Sequence, residues 1–372
     1  MSETMLMLAI ETTCDETGVA VLEGPRPPKE GTPIARSSVV ATQIDLHERF
    51  GGVVPEIAAR AHTTNFLPVL DEALKRANVR LEEIEAIAVA TKPGLVGSLV
   101  VGLSAAKALA VALDVPLIAV DHLEGHLYAC QIAYPNQTVY PCVGLVVSGG
   151  HTSLFHCRGP IDAELIGGTI DDAGGEAFDK VAALLRLGYP GGPEIERVAR
   201  AGNPKAFAFP RSFLRDDRIA FSFTGLKTAV LYALRGQDAR QGNLDPSLDP
   251  QLVADLAASF QEAVADVVVA KTRQVLRSTG LTRLCVGGGV AANSRLRQKL
   301  ENLAHVERVE LFIPPLSLCT DNAAMLAVAF PKLAAGRIAE LDIDVAAGLV
   351  REKGEKKNHK KTSSNVKNKD IY

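Results

Sequence analysis

The sequence predicts an α/β protein made of two similar halves that face each other across a cleft. A strand-turn-strand pattern at residues 8–22 begins again at residues 143–155, with similar lengths on each side of the turn. Each half then continues with short apolar strands and helical segments. An internal offset of 199 residues lays residues 84–90 over residues 283–289. A repeated order of elements predicts two lobes of one architecture.

Composition limits the class of protein. The chain has 372 residues, of which 47% are hydrophobic and 22% charged, as in a soluble globular protein with one large or two medium domains. Its six cysteines form no Cys-x-x-Cys pair, which favours reduced thiols over disulfides or a structural zinc site. The first residues lack the basic region of a signal peptide. We therefore expect a cytoplasmic protein.

The elements of the first half follow from its apolar patterns. After the opening hairpin, a helix is expected at residues 55–76 and a strand at residues 86–90. Residues 95–113 are apolar enough to suggest a membrane span, but they include Lys107 and several small residues. We expect a buried helix that covers the sheet, and no association with a membrane.

A histidine pair follows the last strand of this half. After the apolar run at residues 115–120, His122 and His126 lie one turn apart on the same face of a helix. Two imidazoles in this arrangement can bind one metal ion. Glu124 lies between them, in the wrong position for the His-Glu-x-x-His pattern of zinc proteases, so a third ligand must come from elsewhere. The alternative is a pair of ordinary histidines near the start of a helix.

The second half offers the third ligand. A strand and glycine turn at residues 284–293, a helix at 294–303, a strand at 309–313 and a helix near Asp321 repeat the end of the first half. The same offset of 199 residues lays His122 over Asp321, so related halves would bring this carboxylate to the histidines. Two histidines and a carboxylate form an open metal site. Alternatively, Asp321 is a helix N-cap, since aspartate is a favoured cap residue.

The domain organisation follows from the repeat. Residues 1–135 are predicted to form the first lobe and residues 136–350 the second, whose last helix can pack back on the first. The second lobe carries an insertion at about residues 167–255, within which residues 237–250 are predicted to be a flexible surface loop. Residues 351–372 hold eight Lys/Arg against three Asp/Glu and are predicted to form a disordered basic tail.

The charge distribution bears on nucleic-acid binding. The net charge is −3, and the +5 of the basic tail leaves a body near −8. Any nucleic-acid surface on the body must therefore be a local patch. The tail itself is either a non-specific grip on phosphates or a solubilising segment.

The two hairpins and the Gly-Gly-Gly turn before Asn293 resemble those of the actin/hexokinase/heat-shock ATPase superfamily. This resemblance implies two actin-like (ribonuclease H-like) lobes with an inter-lobe cleft. Over about residues 7–345, the chain more closely resembles the tRNA N6-adenosine threonylcarbamoyltransferases, formerly described as O-sialoglycoprotein endopeptidases. Six motifs carry this resemblance in the family's order: IETTCDET at 10–17, HLEGH at 122–126, VSGGHT at 147–152, GEAFDK at 175–180, YPGGP at 189–193 and CTDNAAM at 319–325. The chain departs from the family at Lys92, where glycine is usual, and at Thr224, where serine is usual.

The resemblance implies a reaction and its partners. The N6 amine of the adenosine on the 3′ side of the anticodon would attack the carbamoyl carbonyl of threonylcarbamoyl-AMP and release AMP. The tRNAs are those that read codons starting with A. The implied protein partners are a shorter paralogue with the same actin-like fold and a small P-loop ATPase.

The resemblance also assigns roles to residues. One divalent metal ion, Fe2+ or alternatively Zn2+, would be held by His122, His126 and Asp321. By family match, Asp179 and Asn293, together with Gly192, would hold the ribose and adenine. The phosphate or acyl oxygens would be cradled by the backbone of Val146, Val147, Ser148, Gly149 and Gly150.

One further residue is a candidate for the chemistry itself. Asp15 would accept the amine proton or position the acyl group, or it is an aspartate that only forms the turn.

Two other functions stay open at this point. A metalloendopeptidase would use the histidine pair, although the intervening glutamate is misplaced for a general base. A sugar kinase or chaperone-like ATPase would share the fold alone. Such ATPases usually manage with magnesium and carboxylates, which leaves two histidines in the cleft without a use.

Overall fold

The structure of the chain is a computed structural model that describes residues 2–27, 31–214, 216–235 and 248–348. The predicted basic tail at residues 351–372 lies outside these ranges. So do residues 237–247 of the predicted surface loop.

The first sheet consists of β1 (Thr4–Glu11), β2 (Glu16–Pro25), β3 (Ile34–Thr42), β4 (Ala86–Lys92) and β5 (Leu117–Asp121). Its strand order is β3-β2-β1-β4-β5. The first three strands form an antiparallel meander, and β4 and β5 then continue the sheet parallel to β1.

The second sheet consists of β6 (Cys142–Val147), β7 (Thr152–Gly159), β8 (Asp162–Thr169), β9 (Ala220–Phe221), β10 (Arg283–Gly287) and β11 (Glu310–Phe312). Its strand order is β11-β10-β6-β7-β8-β9. Apart from the short β9, this is the order and direction of the first sheet again, with an antiparallel meander followed by two parallel strands. The predicted α/β fold with two similar halves is therefore confirmed.

The helices lie between and around the sheets. They are α1 (Ile44–His47), α2 (Pro55–Ala77), α3 (Val96–Leu113), α4 (His122–Ala133), α5 (Gly174–Leu184), α6 (Gly191–Ala199), α7 (Thr224–Arg235), α8 (Pro250–Thr279), α9 (Ser294–Glu307), α10 (Leu316–Cys319) and α11 (Ala329–Ala334), with 3-10 turns at Glu48–Phe50, Leu81–Glu83, Gly289–Ala292 and Ala323–Val328. Helices α2 and α3 pack on the outer face of the first sheet. Helices α5 to α9 enclose the second sheet in the largest core of the molecule.

Helix α3 differs in part from its prediction. One face packs on the first sheet through Leu99, Leu103, Ala106 and Ala110, as expected. The opposite face is not buried, because Val96, Val100 and Val111 are exposed. By length and composition, α3 is the one helix among the described residues that is apolar enough to cross a membrane. A helix that is apolar on all sides gives no periodic signal to separate its packed face from its exposed one.

In each half, the helical segment that carries or follows the predicted metal ligands packs against the sheet of the other half. Helix α4 follows β5 of the first sheet, yet Leu123 and Leu127 pack against the second sheet beside β6 and β10. The 3-10 helix Ala323–Val328 follows β11 of the second sheet, yet it packs on β1, β2 and β3 of the first. The two segments touch each other. A Cβ on Gly125 would lie 3.2 Å from Met325, so glycine permits this close approach.

After α11, the chain runs back over the first lobe. Ala339 N–H donates to the carbonyl of Leu117 at 2.8 Å, and Ala346 N–H donates to that of Thr91 at 3.0 Å. Lys107 binds the carbonyl oxygen of Ile343 at 2.6 Å. The second half of the chain therefore helps to build the first lobe.

Candidate metal centre

The three predicted metal ligands meet where α4 crosses the 3-10 helix Ala323–Val328. The ligand atoms of His122, His126 and Asp321 all lie within 4.8 Å of one another. Nε2 of His126 is 3.2 Å from Asp321 Oδ1, and Nε2 of His122 is 3.6 Å from the same oxygen. These three side chains can therefore hold a metal ion.

Asp321 is not the cap of the helical segment that follows it. Asn322 takes that position, since its side-chain oxygen accepts the Met325 N–H at 3.1 Å. The N-cap interpretation of Asp321 is therefore wrong, and its carboxylate faces the histidines. The expected α-helix near Asp321 is also wrong in detail: a 3-10 helix begins at Ala323, and α11 follows it.

Burial and neighbouring charges set the ionisation of the cluster. Burial alone would lower the pKa of His122, but Asp321 and Glu11 outweigh it and raise that pKa to about 9. Burial and the neighbouring His122 lower the pKa of His126. Although burial opposes ionisation of Asp321, the two histidines hold its pKa below the usual range. Asp321 is thus an anion, the form in which a carboxylate binds metal.

A cation fits this cluster. His126 is fully buried, yet neither of its ring nitrogens has a hydrogen-bond partner. Its Nε2 approaches Asp321 closely, but without the alignment that a hydrogen bond needs. Buried polar atoms without a partner are uncommon and call for an explanation. A metal ion between the histidines and Asp321 would satisfy this nitrogen.

Glu11 and Thr13 belong to the site, and sequence reasoning missed both. Glu11 is completely buried at the end of β1, and its Oε2 lies 3.1 Å from Nδ1 of His122. The Thr13 hydroxyl lies 3.2 Å from the same nitrogen. A carboxylate at the second nitrogen of a ligating histidine fixes its tautomer and its ring orientation. The available signal was a glutamate at the end of an otherwise apolar strand.

Glu124, the residue between the two histidines, is held in an ion pair. Its Oε2 lies 2.6 Å from Nζ of Lys332, a largely buried residue of α11. This ion pair joins α4 to α11 at the junction of the two halves. Glu124 is the glutamate that a metallopeptidase built on this histidine pair would need as its general base, and the ion pair engages it instead.

Asp15 lies in the turn between β1 and β2. Its side chain is largely buried. Burial, followed by Asp15 and Asp321, raises the pKa of Glu16 well above its ordinary value, which favours a proton on Glu16. The charge of Asp15 also reaches Asp179 on the opposite side of the cleft. Asp15 thus lies within electrostatic range of Asp179, and its neighbour Glu16 within range of Asp321.

The small-residue turn at residues 148–150 forms the wall of the cleft in the second lobe. Val146 and Val147 end β6 and are completely buried, and Ser148 N–H donates to the His151 carbonyl at 2.8 Å. A Cβ on Gly149 or on Gly150 would meet no protein atom within 4 Å. The turn therefore faces open space that a ligand can enter.

His151 is a third residue near the site to which no prediction gave a role, although it lies in one of the quoted motifs. Its ring centre is 6.4 Å from that of His122. Burial, with His122 and His126 next in weight, lowers the pKa of His151 to about 4. A neutral imidazole therefore stands beside the metal ligands.

Asp179 lies on α5, and its side chain reaches the start of α6, where Gly192 is the second residue. Asp179 Oδ1 accepts the Gly191 N–H at 2.7 Å. Burial raises the pKa of Asp179 to about 6 in spite of this bond. Lys180 pairs with Asp172 at 2.7 Å and so turns away from Asp179. A Cβ on Gly192 would meet nothing within 4 Å, so the space beside Asp179 is open.

The side chain of Asn293 uses most of its hydrogen-bonding capacity within the protein. Its Oδ1 accepts the Leu296 N–H at 3.0 Å as the N-cap of α9, and its Nδ2 donates to Gln261 Oε1 at 2.7 Å. One N–H of the amide stays available for a ligand. The predicted contact with adenine therefore depends on that single donor.

Comparison with known proteins identifies the family. The family model of tRNA N6-adenosine threonylcarbamoyltransferase (TsaD) matches residues 35–328. A curated protein of that name from Rhodopirellula baltica is 52% identical over 93% of this chain and 97% of its own length. Another of the same name, from Thermosipho melanesiensis, is 47% identical over 93% of this chain and 99% of its own length.

Solved structures bear on the fold. HypF from T. kodakarensis superposes with a TM-score of 0.57 at 16% identity, over 90% of this chain and 48% of that protein. A full-length HypF in a phosphate- and nucleotide-bound form gives a TM-score of 0.55 at 14% identity, over 88% of this chain and 46% of that protein. At such identities the likeness concerns the fold alone. The sequence matches, in contrast, cover nearly the whole chain, and this chain belongs to the tRNA N6-adenosine threonylcarbamoyltransferase family.

Proposed function

We propose that this cleft transfers a threonylcarbamoyl group from threonylcarbamoyl-AMP to N6 of the adenosine 3′ of the anticodon, in tRNAs that read codons starting with A. The observation that carries the proposal is the cluster of His122, His126 and Asp321 beside an open turn of small residues. A mixed anhydride of a carbamic acid and a phosphate needs positive charge near its oxygens and a close approach of backbone. The cleft offers both.

The reaction forms one N–C bond and breaks one C–O bond. The adenosine amine attacks the carbamoyl carbonyl, AMP leaves with the electron pair of the broken bond, and the amine loses a proton. A divalent metal ion held by His122, His126 and Asp321 supplies positive charge to the substrate oxygens when it is bound. Glu11 orients the ring of His122 from behind.

Asp15 is the proposed acceptor of the amine proton. Its neighbours in the cleft include the carboxyl groups of Glu16 and Asp179. An ionised carboxylate only accepts hydrogen bonds, which is the property that a proton acceptor needs.

The nucleotide is proposed to lie against the second lobe. The backbone of residues 146–150 cradles the phosphate or acyl oxygens, and the open position at Gly192 leaves room for the nucleoside. Asp179 uses one oxygen for Gly191, so its other oxygen can accept a ribose hydroxyl proton. Asn293 contributes its remaining N–H to the adenine.

Other features of the proposal come from the family resemblance. The metal is proposed to be Fe2+, with Zn2+ as the alternative that the same ligand set accepts. The proposed protein partners are a paralogue of the same fold and a small P-loop ATPase, and the proposed compartment is the cytoplasm. A peptidase function is disfavoured by the Glu124–Lys332 ion pair, and an ATPase function has only the fold in its support.

Incubation of the pure protein with labelled threonylcarbamoyl-AMP and unmodified tRNA tests the function. We expect label in the tRNA and release of AMP in equal amounts. Asp15→Asn should lower the single-turnover rate by roughly 100- to 10,000-fold, the range for losing a general base. Asp45→Asn, an exposed carboxylate on α1, is the matched control and should leave the rate unchanged. AMP release without transfer to tRNA would contradict the proposed reaction.

A further inference from the structure

A buried histidine that takes no part in the proposed chemistry lies directly behind the Asp15 turn. His62 is on α2 and is completely buried. Its Nε2 lies 3.0 Å from the carbonyl oxygen of Cys14, and its Nδ1 lies 2.8 Å from the Thr17 hydroxyl. These two residues stand on either side of Asp15. The imidazole therefore spans the turn that carries the proposed proton acceptor.

The partners of His62 define its protonation. The Cys14 carbonyl can only accept a hydrogen bond, so Nε2 carries the proton and donates it. Nδ1 is then left to accept the hydroxyl proton of Thr17. Burial lowers the pKa of His62, which agrees with a neutral ring. His62 thus holds the turn through one donor and one acceptor, and the Ser98 hydroxyl donates a further hydrogen bond to the Cys14 carbonyl at 3.2 Å.

Gln43 supports the turn from the same side. Its backbone N–H donates to the carbonyl of Asp15 at 3.1 Å. Its side-chain amide lies between two histidines, 3.2 Å from Nε2 of His47 and 3.5 Å from Nδ1 of His62. Two consecutive carbonyls of the turn, those of Cys14 and Asp15, are therefore tied to a buried polar network. Such a network defines the course of a turn that has no regular secondary structure of its own.

We propose that His62 is a positioning residue for the transfer reaction, which holds the turn so that the Asp15 carboxylate faces the metal centre. This inference rests on the role proposed above for Asp15. His62 touches no substrate and acts through the backbone of Cys14 and the side chain of Thr17.

A purely structural role would be to anchor α2 to the first sheet, and the chain contains such an anchor elsewhere. Ser37 Oγ donates to the carbonyl of Ala73 at 2.7 Å and accepts the Val21 N–H at 3.3 Å. This link is also buried, but it joins α2 to the sheet three turns of helix beyond His62. Ser37→Ala is therefore the matched control for loss of a buried hydrogen bond without a change at the turn.

Cys14 provides a readout that does not depend on activity. It is the partly exposed cysteine of the chain, whereas the other five are buried. The rate at which an alkylating reagent modifies Cys14 therefore reports opening of the turn. His62→Leu keeps an apolar side chain in place but removes both hydrogen bonds, and it should raise this rate at least about tenfold. Ser37→Ala should leave it unchanged, and Cys14→Ser identifies the labelled site.

Kinetics test whether the turn matters for the reaction. His62→Leu should lower kcat by roughly 10- to 100-fold, as for misplacement of a catalytic group by about 1 Å, with metal content and the KM for tRNA unchanged. His62→Gln, whose amide can still donate to Cys14, should restore most of kcat and slow the labelling. An unchanged labelling rate would overturn the proposal whatever the activity. Faster labelling with an unchanged kcat would also overturn it, while leaving the family reaction in place. Loss of metal together with kcat would assign the effect to the metal centre instead and would equally overturn it.

Discussion

The two lobes share one topology but bring different chemistry to the cleft between them. In the first lobe, the turn of the opening hairpin carries the carboxyl groups of Asp15 and Glu16, and the last strand leads to two histidines. In the second lobe, the corresponding turn carries Ser148 and two glycines, and the last strand leads to a single carboxylate, Asp321. Repetition of a fold therefore places residues at equivalent sites without dictating what those residues are.

This difference suggests that the two lobes have different roles in the reaction. Charged groups of the first lobe lie around the proposed reacting atoms, whereas glycine-lined backbone of the second lobe leaves the open space that a nucleotide needs. Variants in the first lobe and at Asp321 should then change metal content or kcat, whereas variants of the glycine-lined wall and of Asp179 in the second lobe should change nucleotide affinity.

The largest effect is expected from His126→Ala. Removal of this imidazole takes one of three ligands from the metal, and with it several kcal/mol of transition-state stabilisation, so activity should fall by about 100-fold or more. Metal content should fall in parallel, as measured by elemental analysis of the purified protein. His305→Ala, an exposed histidine on α9, is the control and should change neither quantity. Full metal content in the His126 variant would disprove the ligand assignment.

Asp179→Asn should weaken AMP binding by about 1–3 kcal/mol, because a ribose hydroxyl loses its charged acceptor. Since burial raises the pKa of Asp179 to about 6, the wild-type carboxylate becomes charged only as pH rises through that value. Wild-type affinity relative to the variant should therefore increase from about pH 5 to about pH 7, as measured by calorimetry. Metal content should not change.

The same shift fixes the sign of the effect on stability. When folding raises the pKa of a carboxyl group, the free energy of unfolding of the protein falls as pH rises from the ordinary pKa of the group towards its folded pKa. Asp179→Asn should therefore not lower the melting temperature at neutral pH, since the amide oxygen can still accept the Gly191 N–H. Asp162→Asn, on the exposed side of β8, serves as the control. A lower melting temperature with unchanged AMP affinity would make Asp179 a structural residue and remove it from the nucleotide site.

Two neighbouring glycines give a sharper test of the second lobe. A Cβ at Gly192 would meet no protein atom within 4 Å, so Gly192→Ala should fold normally but intrude on the nucleotide, with a loss of about 1–3 kcal/mol in AMP binding. A Cβ at Gly191 would lie 2.6 Å from the Cα of Asp179, so Gly191→Ala should lower the melting temperature. Thermal unfolding and AMP titration of both variants separate the two effects. Unchanged AMP affinity in Gly192→Ala would place the nucleotide elsewhere.

The smallest effect is expected from the basic segment at residues 351–372, which lies outside the described residues. Truncation after Val350 removes a net charge of +5 and should weaken tRNA binding most at low salt. The slope of log affinity against log salt should become flatter, while kcat at saturating tRNA stays the same. An unaltered salt slope would return the tail to a solubilising role.

The features that depend on local pattern could be predicted from the amino-acid sequence. The strand-turn-strand repeats, helix α2 at Pro55–Ala77 and the histidine pair at one-turn spacing are properties of neighbouring residues, and hydrophobic periodicity reveals them. The internal offset of 199 residues also predicted Asp321, because it lays this residue over His122 in the other copy of the architecture.

Features that depend on contacts between distant segments became visible only in the folded chain. Glu11 lies 111 residues from His122 in the chain, and the local sequence around either residue does not predict that their side chains meet. The exposed outer face of α3 likewise follows from how segments pack. So does the exchange of α4 and the 3-10 helix Ala323–Val328 between the sheets, which sets the two histidines beside the carboxylate. Local patterns fix the elements because they act over a few residues, whereas a site assembled between lobes depends on side chains that only packing brings within a few ångströms of each other.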